Sequence, residues 1–168
     1  RSLMILPSSI PIDDGGVQFE LVRYLPSAWD AVIAKDVDGA ASVPLAIDQE
    51  VPQLGRYSAA RRVARTIYMG SAPTSQGENP GIDDRRIRLG CAQPGETVAI
   101  FGDALRRLAD RGTYLYVDGS RYWYSTQASV SRLADDRAAE IDVHDVAAKI
   151  VEYLRKDTQR GDFSAVHI

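Results

Sequence analysis

Arginine is the side chain in this sequence with the clearest capacity to bind a charged ligand. The chain has 17 arginines and 3 lysines, and a guanidinium group suits bidentate contact with phosphate or carboxylate oxygens. Eleven arginines lie in residues 56–126, which hold no lysine and seven acidic residues, giving a net charge of +4. Residues 1–55 carry −5 and residues 127–168 carry −2. The middle of the chain is a basic island, although a compositional bias of the genome would produce the same excess of arginine without a function.

Residues that could carry catalysis are few and scattered. The sequence contains neither G-x-x-x-x-G-K-[ST] nor G-x-G-x-x-G, which cradle phosphates, and it lacks the G-x-S-x-G nucleophile elbow. Cys91 stands alone, far in sequence from His144 and His167, and two histidines without further ligands do not predict a metal site. We therefore expect no catalytic residue, no metal and no cofactor in this fragment. A Cys–His pair brought together by folding, as in a hydrolase, is the alternative.

Composition places the chain among globular proteins. Hydrophobic residues make up 45% and charged residues 26% of the 168 positions, which excludes a disordered or coiled-coil chain. No apolar run approaches the roughly 20 residues of a membrane span, and a single cysteine fits a reducing compartment. We expect a cytoplasmic protein that binds no membrane. Because the chain begins with Arg1 rather than methionine, we also expect a piece of a longer protein.

Residues 1–55 predict helices interrupted by proline and glycine. The apolar run over 2–6 indicates a buried strand, and the apolar spacing over 17–25 and 28–35 indicates two helices. Residues 36–55 carry two glycines, two prolines and only short apolar pieces, so we predict a connector. The first 55 residues are therefore expected to form a helical and connector segment.

Three helices are predicted in the basic island. Apolar residues recur at helical spacing over 58–69 and 96–111, and a short helix is predicted between them over 84–89. Ser58 is a residue type that caps a helix N-terminus, and either Asp83 or Asp84 could cap the short helix. The predicted polar or flanking side of the first helix holds Arg61, Arg62, Arg65 and Tyr68.

A β-hairpin is the strongest local signal in the sequence. Residues 113–117 and 121–125 are rich in aromatic and β-branched side chains and flank an Asp-Gly-Ser turn. We predict a three-residue loop, because it places all four hairpin tyrosines on one face and the apolar side chains on the other. The predicted pairs are Val117 with Arg121, Tyr116 with Tyr122, Leu115 with Trp123 and Tyr114 with Tyr124.

The shared tyrosine face has two interpretations. Four exposed rings could stack on bases or contact sugars and phosphates. Tyrosine is also a favoured strand residue that shields a half-buried face. The second interpretation is favoured, because Trp123 already supplies a core residue on the other face.

The order of helix, short helix, longer helix and hairpin is typical of a winged helix-turn-helix module. We therefore predict an α+β fold with a winged-helix-like module of three helices and a β-hairpin wing over residues 56–126. In such a module the third helix can enter a DNA major groove while the wing lies along the backbone. The candidate nucleic-acid-binding residues are Arg85, Arg86, Arg88, Arg106, Arg107, Arg111 and Arg121.

Residues 127–168 are predicted to form flanking helices after the module. Helical spacing extends over 130–140 and 143–156, and the end of the sequence, 163–168, has the pattern of a strand. The chain is thereby divided into an N-terminal segment, a winged-helix-like module and a C-terminal helical segment.

Four stretches resemble a family of large prokaryotic AAA-type ATPases. They are SLMILPSSIPI (2–12), GRYSAARRVARTIYMGSAP (55–73), GIDDRRIRLG (81–90) and YLYVDGSRYWY (114–124). The family is the domain-of-unknown-function family numbered 499, which is similar to the P-loop proteins of BREX and Pgl phage-defence systems. The resemblance implies a segment that follows the nucleotide-binding core, with the Walker motifs outside this sequence, and it implies no catalytic residue here. Residues 1–55 would then be the end of the ATPase core or the link to it.

Two functions follow as expectations. The first is a non-catalytic, winged-helix-containing domain of an AAA-type ATPase in phage defence that contacts DNA or a protein partner. The second is a structural or protein-interaction module that packs on its own ATPase core or on neighbouring subunits. Continuous positive charge around the third helix and the wing would favour DNA, whereas neutralisation by Asp103 and Asp110 would favour a protein contact.

Overall fold

The computed structural model describes residues 4–72 and 80–156, which have a mixed α+β fold. The chain divides into two compact units, a first unit Arg1–Arg132 and a second unit Leu133–Ile168. No helix in the described residues has the length and hydropathy of a transmembrane span. The α-helices are α1 (Gly15–Val22), α2 (Ala28–Val32), α3 (Val43–Glu50), α4 (Pro52–Gly55), α5 (Ala59–Ser71), α6 (Asp84–Cys91), α7 (Ala99–Arg111), α8 (Val130–Glu140) and α9 (Val143–Lys156). The strands are β1 (Ile82–Asp83), β2 (Leu115–Asp118) and β3 (Arg121–Tyr124). A 3-10 turn spans Pro7–Ser9, and a π-helical turn spans Ile33–Val37.

Helix α5 is the centre of the first unit, where it packs against α3, α6, α7 and β3. The predicted division of this helix into an apolar side and a polar side is wrong at Tyr68. The Tyr68 side chain is 1% exposed and meets the buried Trp29 of α2 edge to face, with ring centroids 5.8 Å apart. The reason is that residues 1–55 cover the side of α5 that was predicted to face water.

The segment predicted as a connector, 36–55, contains α3 and α4 instead. Pro44 and Pro52 lie in the first turns of these helices, where the missing proline N–H has no helical partner to lose. Helix α3 packs against both α5 and α7 and buries Ile47. The prolines therefore begin two short helices that a search for long apolar periodicity does not detect.

The two strands predicted near the ends of the chain have different outcomes. Residues 4–6 of the predicted strand 2–6 adopt no strand structure. The predicted strand 163–168 lies outside the described residues.

The N-terminus of α5 is capped by a distant carboxylate. Ser58, the predicted cap, has φ 48° and makes no capping hydrogen bond through its side chain. Asp48 of α3 accepts hydrogen bonds from the backbone N–H groups of Ala60 and Arg61, at 2.9 and 3.2 Å. Asp83 caps α6, as predicted, by accepting a backbone hydrogen bond of 3.0 Å from the first turn.

The hairpin register differs from the predicted one, and the loop has two residues. The observed pairs are Leu115 with Tyr124, Tyr116 with Trp123, Val117 with Tyr122 and Asp118 with Arg121. Gly119 has φ 56°, which suits the first loop position of a type II′ turn. The core face receives Leu115 and Tyr124, so the prediction of four tyrosines on one face is wrong. Turn geometry sets the register here, rather than a separation of tyrosines from aliphatic residues.

A third strand, which the sequence pattern did not predict, extends the sheet. Strand β1 pairs antiparallel with β3, giving the strand order β1-β3-β2. Gly81 leads into β1 with φ 76°, and a Cβ at this position would lie 2.2 Å from the carbonyl oxygen of Tyr122. The approach of residue 81 to the backbone of β3 therefore requires glycine.

Gly81→Ala is expected to destabilise the chain more than Gly95→Ala. Both glycines have positive φ, 76° and 86°, so each alanine carries the left-handed backbone cost of about 1–2 kcal/mol. Only the Cβ at residue 81 also collides with the β3 backbone, whereas that at residue 95 meets nothing within 4 Å. We expect a loss of about 3 kcal/mol for Gly81→Ala, measured by urea unfolding. Equal losses for the two variants would contradict this account.

Candidate binding face around helix α7

Helix α7 presents one buried side and one exposed side. Its buried side packs against α5 and α3 through Phe101, Ala104, Leu105 and Leu108. Its exposed side, which we call the α7 face, is formed by Ala99, Asp103, Arg106, Arg107 and Asp110. The 3.6-residue period of the helix produces this division, because apolar residues recur on one stripe. The α7 face is the surface that a third helix of this order would present to a partner.

Asp103 pairs with both arginines at the centre of the α7 face and offsets part of their charge. Its carboxylate accepts a hydrogen bond from Arg106 Nη2 at 3.2 Å and from Arg107 Nε at 3.1 Å. Partial burial opposes ionisation of Asp103, but the hydrogen bonds and charges of Arg107 and Arg106 together hold its pKa below the usual value. The carboxylate is therefore ionised at neutral pH, and this part of the face carries both signs of charge.

Arg111 and Arg88 are also paired with carboxylates. Arg111 donates to both Glu50 oxygens, at 2.6 and 3.1 Å, and these hydrogen bonds lower the pKa of Glu50. Arg88 donates to Asp84 one turn earlier in α6, at 2.7 Å.

The arginines of β3 and of the first turn of α6 have different environments. Arg121 donates to the carbonyl oxygens of Pro80 and Gly81, at 3.1 and 2.8 Å, so it holds the chain that leads into β1. Arg86 lies 3.4 Å from Asp83. The Arg85 guanidinium makes no ion pair or hydrogen bond with a described residue, and Arg85 is exposed. A shallow cleft of about 520 Å³ is lined by Asp83, Asp84, Arg85, Arg86 and Ser120, so the structure brings Arg85 and Arg86 together beside two carboxylates.

Two further arginines of the basic island, Arg61 and Arg65, are engaged with the acidic first segment. Arg65 of α5 donates to Asp38 at 2.7 Å and to Asp13 at 3.0 Å. Arg61 lies 3.7 Å from Asp48, and burial raises the pKa of both Asp38 and Asp48 in spite of the neighbouring guanidinium groups. Sequence reasoning missed these acidic partners. The opposite net charges of residues 1–55 and 56–126 were the one signal of this pairing.

Arg62 is enclosed between α5 and the loop before α7. It donates two hydrogen bonds of 2.9 Å to the Glu96 carboxylate and one to the Cys91 carbonyl oxygen, and its guanidinium lies 4.8 Å from the centroid of the Phe101 ring. The hydrogen bonds from Arg62 lower the pKa of Glu96. Arg62 therefore joins α5, α6 and α7 and is not available to a ligand.

The hairpin tyrosines do not form a shared stacking surface. Tyr124 is buried and donates from its hydroxyl to the Asp36 carbonyl oxygen at 2.8 Å. Tyr116 stacks on Trp123 with ring centroids 5.8 Å apart, and its hydroxyl donates to the Ala128 carbonyl oxygen at 3.1 Å. These contacts favour the structural interpretation of the tyrosines.

Cys91 is buried, and burial disfavours its thiolate. The side chain is 0% exposed, its Sγ lies 3.3 Å from Thr66 Oγ1, and burial raises the pKa of the thiol to about 11. His144 is exposed in the second unit, and His167 lies outside the described residues. Within residues 4–72 and 80–156, no group of three or more His, Cys, Asp and Glu side chains is placed to hold a metal ion.

Comparison with protein-family models, with curated proteins and with solved structures gives no match to this chain.

Cys91 is expected to react slowly with a disulfide reagent such as Ellman's reagent while the chain is folded. With a pKa of about 11, about one thiol in a thousand is ionised at pH 8, and the thiolate is the reactive form. The rate at pH 8 should be at least about a hundredfold lower than in the same chain unfolded by guanidinium chloride. The release of thionitrobenzoate measures both rates. Comparable rates in the two states would contradict a buried, inert thiol and would revive the cysteine hydrolase alternative.

Proposed function

We propose that the chain is a non-catalytic, winged-helix-like module of a large AAA-type ATPase, and that its α7 face docks on a protein surface. The order α5, β1, α6, α7, β2, β3 supports the winged-helix-like part. A short strand before the second helix pairs with the second wing strand and ties the wing to the helices. In such a module the third helix and the wing are the surfaces that meet a partner.

The pairing of Asp103 with two arginines on the α7 face is the observation that most favours a protein partner. Its carboxylate holds Arg106 and Arg107 in the middle of the α7 face, and Asp110 is exposed on the same side. A phosphate backbone approaching this helix meets two carboxylates among the cations. A protein surface of mixed charge can complement both signs, and such complementarity selects partners.

Ion pairs between the basic island and residues 1–55 also favour a protein partner over nucleic acid. Arg61, Arg65 and Arg111 face carboxylates from residues 1–55. In the folded unit, acidic residues of 1–55 therefore offset part of the net charge of +4 that residues 56–126 carry. A surface for nucleic acid needs cations that are free to replace the counterions of the phosphates.

The ATPase parent and its place in phage defence are proposed on the resemblance of residues 2–12, 55–73, 81–90 and 114–124 to that ATPase family. Under this proposal the partner is the ATPase core of the same polypeptide or a neighbouring subunit. The absence of phosphate-cradling motifs from the sequence supports a non-catalytic part.

A photo-crosslinking residue tests the docking of the α7 face. With p-benzoylphenylalanine at Ala99, which is exposed on α7, the full-length parent should form a crosslink to a peptide of the ATPase core or of another subunit, identified by mass spectrometry. Arg106→Glu with Arg107→Glu should abolish this crosslink, because charge reversal removes the complementarity. The same probe at Glu20, exposed on α1, is the control and should not give that crosslink. A crosslink to nucleic acid, or none to protein, would refute the proposal.

Nucleic-acid binding is the second candidate, favoured by the exposure of Arg85, Arg86 and Arg106. Exposed ion pairs are worth at most about 1 kcal/mol, so phosphates could displace a paired carboxylate.

Under our proposal the chain binds DNA only weakly. Fluorescence anisotropy at low salt should give dissociation constants in the millimolar range or higher for both duplex and single-stranded DNA. Asp103→Asn should strengthen that binding by releasing two guanidinium groups, whereas Asp14→Asn, an exposed helix cap, should not.

Micromolar binding by the unaltered chain would reverse the choice between the two candidates. That binding should then weaken with salt and be lost in Arg106→Glu with Arg107→Glu. Nucleic acid would replace protein as the partner of the α7 face.

A further inference from the structure

A cavity of about 540 Å³ lies in the first unit, between the turn that joins α1 to α2 and the end of strand β3. Its volume is within the range of ligand pockets, roughly 300–1,000 Å³. Its lining includes aromatic, proline and hydroxyl side chains: Tyr24, Pro26, Trp29, Trp123, Ser125 and Thr126. None of the described residues that line it is charged. We call it the tryptophan cavity, because it holds both tryptophans of the chain.

Contacts with other aromatic side chains hold both tryptophan rings in place. Trp29 is 2% exposed and meets Tyr68 edge to face. Trp123 is half-buried and stacks on Tyr116 with the two rings inclined by 19°. The cavity is therefore preformed, and a ligand that enters it does not have to order these rings.

The tryptophans supply hydrogen-bond donors that have no protein acceptor. The indole N–H groups of Trp29 and Trp123 make no hydrogen bond with a described residue. An indole nitrogen donates and cannot accept, and a donor on a side chain as buried as Trp29 normally has a partner. The ligand of this cavity is therefore expected to bring acceptors and apolar surface, without a charge.

A proline-rich segment has this chemistry. Proline lacks a backbone N–H, and a polyproline II backbone makes no internal hydrogen bonds, so its carbonyl oxygens are free to accept. Grooves lined by aromatic side chains bind such segments, which lose little entropy because their conformation is preformed. Unpaired indole donors beside aromatic and proline side chains complement both the carbonyl groups and the pyrrolidine rings.

A nucleotide fits the cavity less well. Its base could stack on the aromatic rings, but its phosphate needs a cation, and the described lining residues provide none. Arg23 is the neighbour of Tyr24 in sequence and is already engaged. Its guanidinium lies 5.6 Å from the centroid of the Tyr24 ring and 3.6 Å from the Glu20 carboxylate.

We propose that the tryptophan cavity binds a proline-rich segment of a partner protein in the polyproline II conformation. Proline rings pack on the Tyr24 and Trp123 side chains, and a carbonyl oxygen of the segment accepts from the Trp29 indole N–H. This site is a second contact surface, and it does not depend on docking of the α7 face.

Intrinsic fluorescence tests this site directly, because the two tryptophans of the chain both line the cavity. Titration of the 168-residue chain with acetylated, amidated decaproline should shift the emission and saturate, with a dissociation constant on the order of 100 μM. A glycine–serine peptide of the same length should cause no shift. An unchanged emission at millimolar decaproline would overturn the proposal, as would equal responses to the two peptides.

Tyr24→Ala separates loss of binding from loss of folding. Tyr24 is 84% exposed, so the urea midpoint should not change, whereas decaproline should bind at least about tenfold more weakly. Phe19→Ala removes another exposed ring, from α1 and outside the cavity lining, and should bind like the unaltered chain. Equal affinities of the two variants for decaproline would overturn the assignment of the site.

Two further titrations identify the ligand class and separate this site from the α7 face. Adenosine should bind more weakly than decaproline, and tighter binding of adenosine would overturn the assignment to a proline-rich segment. Arg106→Glu with Arg107→Glu should leave decaproline binding unchanged, so failure of α7 docking and failure of this site are distinguishable.

Discussion

The contact between Arg65 and the carboxylates of Asp38 and Asp13 is the interaction on which the first unit depends. The guanidinium is largely buried between them, and a buried charge is tolerated only when it is paired and hydrogen-bonded. Both carboxylates come from residues 1–55, so Arg65 cannot keep its position on α5 unless that segment packs over it. Asp48 adds a second such contact by capping α5 from α3. The acidic segment is therefore part of the same core as the three helices, rather than an appendage to them.

Much of the helical content of the first unit was predictable, because it rests on local periodicity. The helices 59–71, 84–91 and 99–111 lie close to their predicted bounds, and Asp83 caps α6 as its residue type suggested. Tertiary contacts decided the rest. Ser58 did not cap α5, because its backbone turns into the left-handed region and the carboxylate of Asp48 in α3 takes the role. Strand β1 has only two residues and exists through its pairing with β3, which no local pattern encodes.

The position of the candidate site could be predicted from the sequence, but the ion pairs of its arginines could not. The third helix and its arginines could be placed from the apolar spacing, and Asp103 was recognised on the same face. The separation of charge into acidic and basic segments was also visible in the sequence. A count along the chain, however, cannot tell whether opposite charges meet. Arg111 and Glu50 are 61 positions apart and bind each other at 2.6 Å, so an arginine that resembled a free phosphate ligand is already paired.

The β2–β3 hairpin has a fixed position relative to the helices, and this restricts which partners can fit. Asp36 holds the open end of the hairpin on both sides. Its carboxylate accepts from the backbone N–H of Tyr114, the residue before β2, at 2.6 Å, and its carbonyl oxygen accepts from the hydroxyl of Tyr124 in β3 at 2.8 Å. Burial raises the pKa of that hydroxyl, so it remains a donor at any physiological pH. A hairpin held at both strands cannot swing to follow a nucleic-acid groove without breaking buried hydrogen bonds. A preformed surface of this kind gains affinity by complementarity with a rigid partner, as a neighbouring folded domain provides.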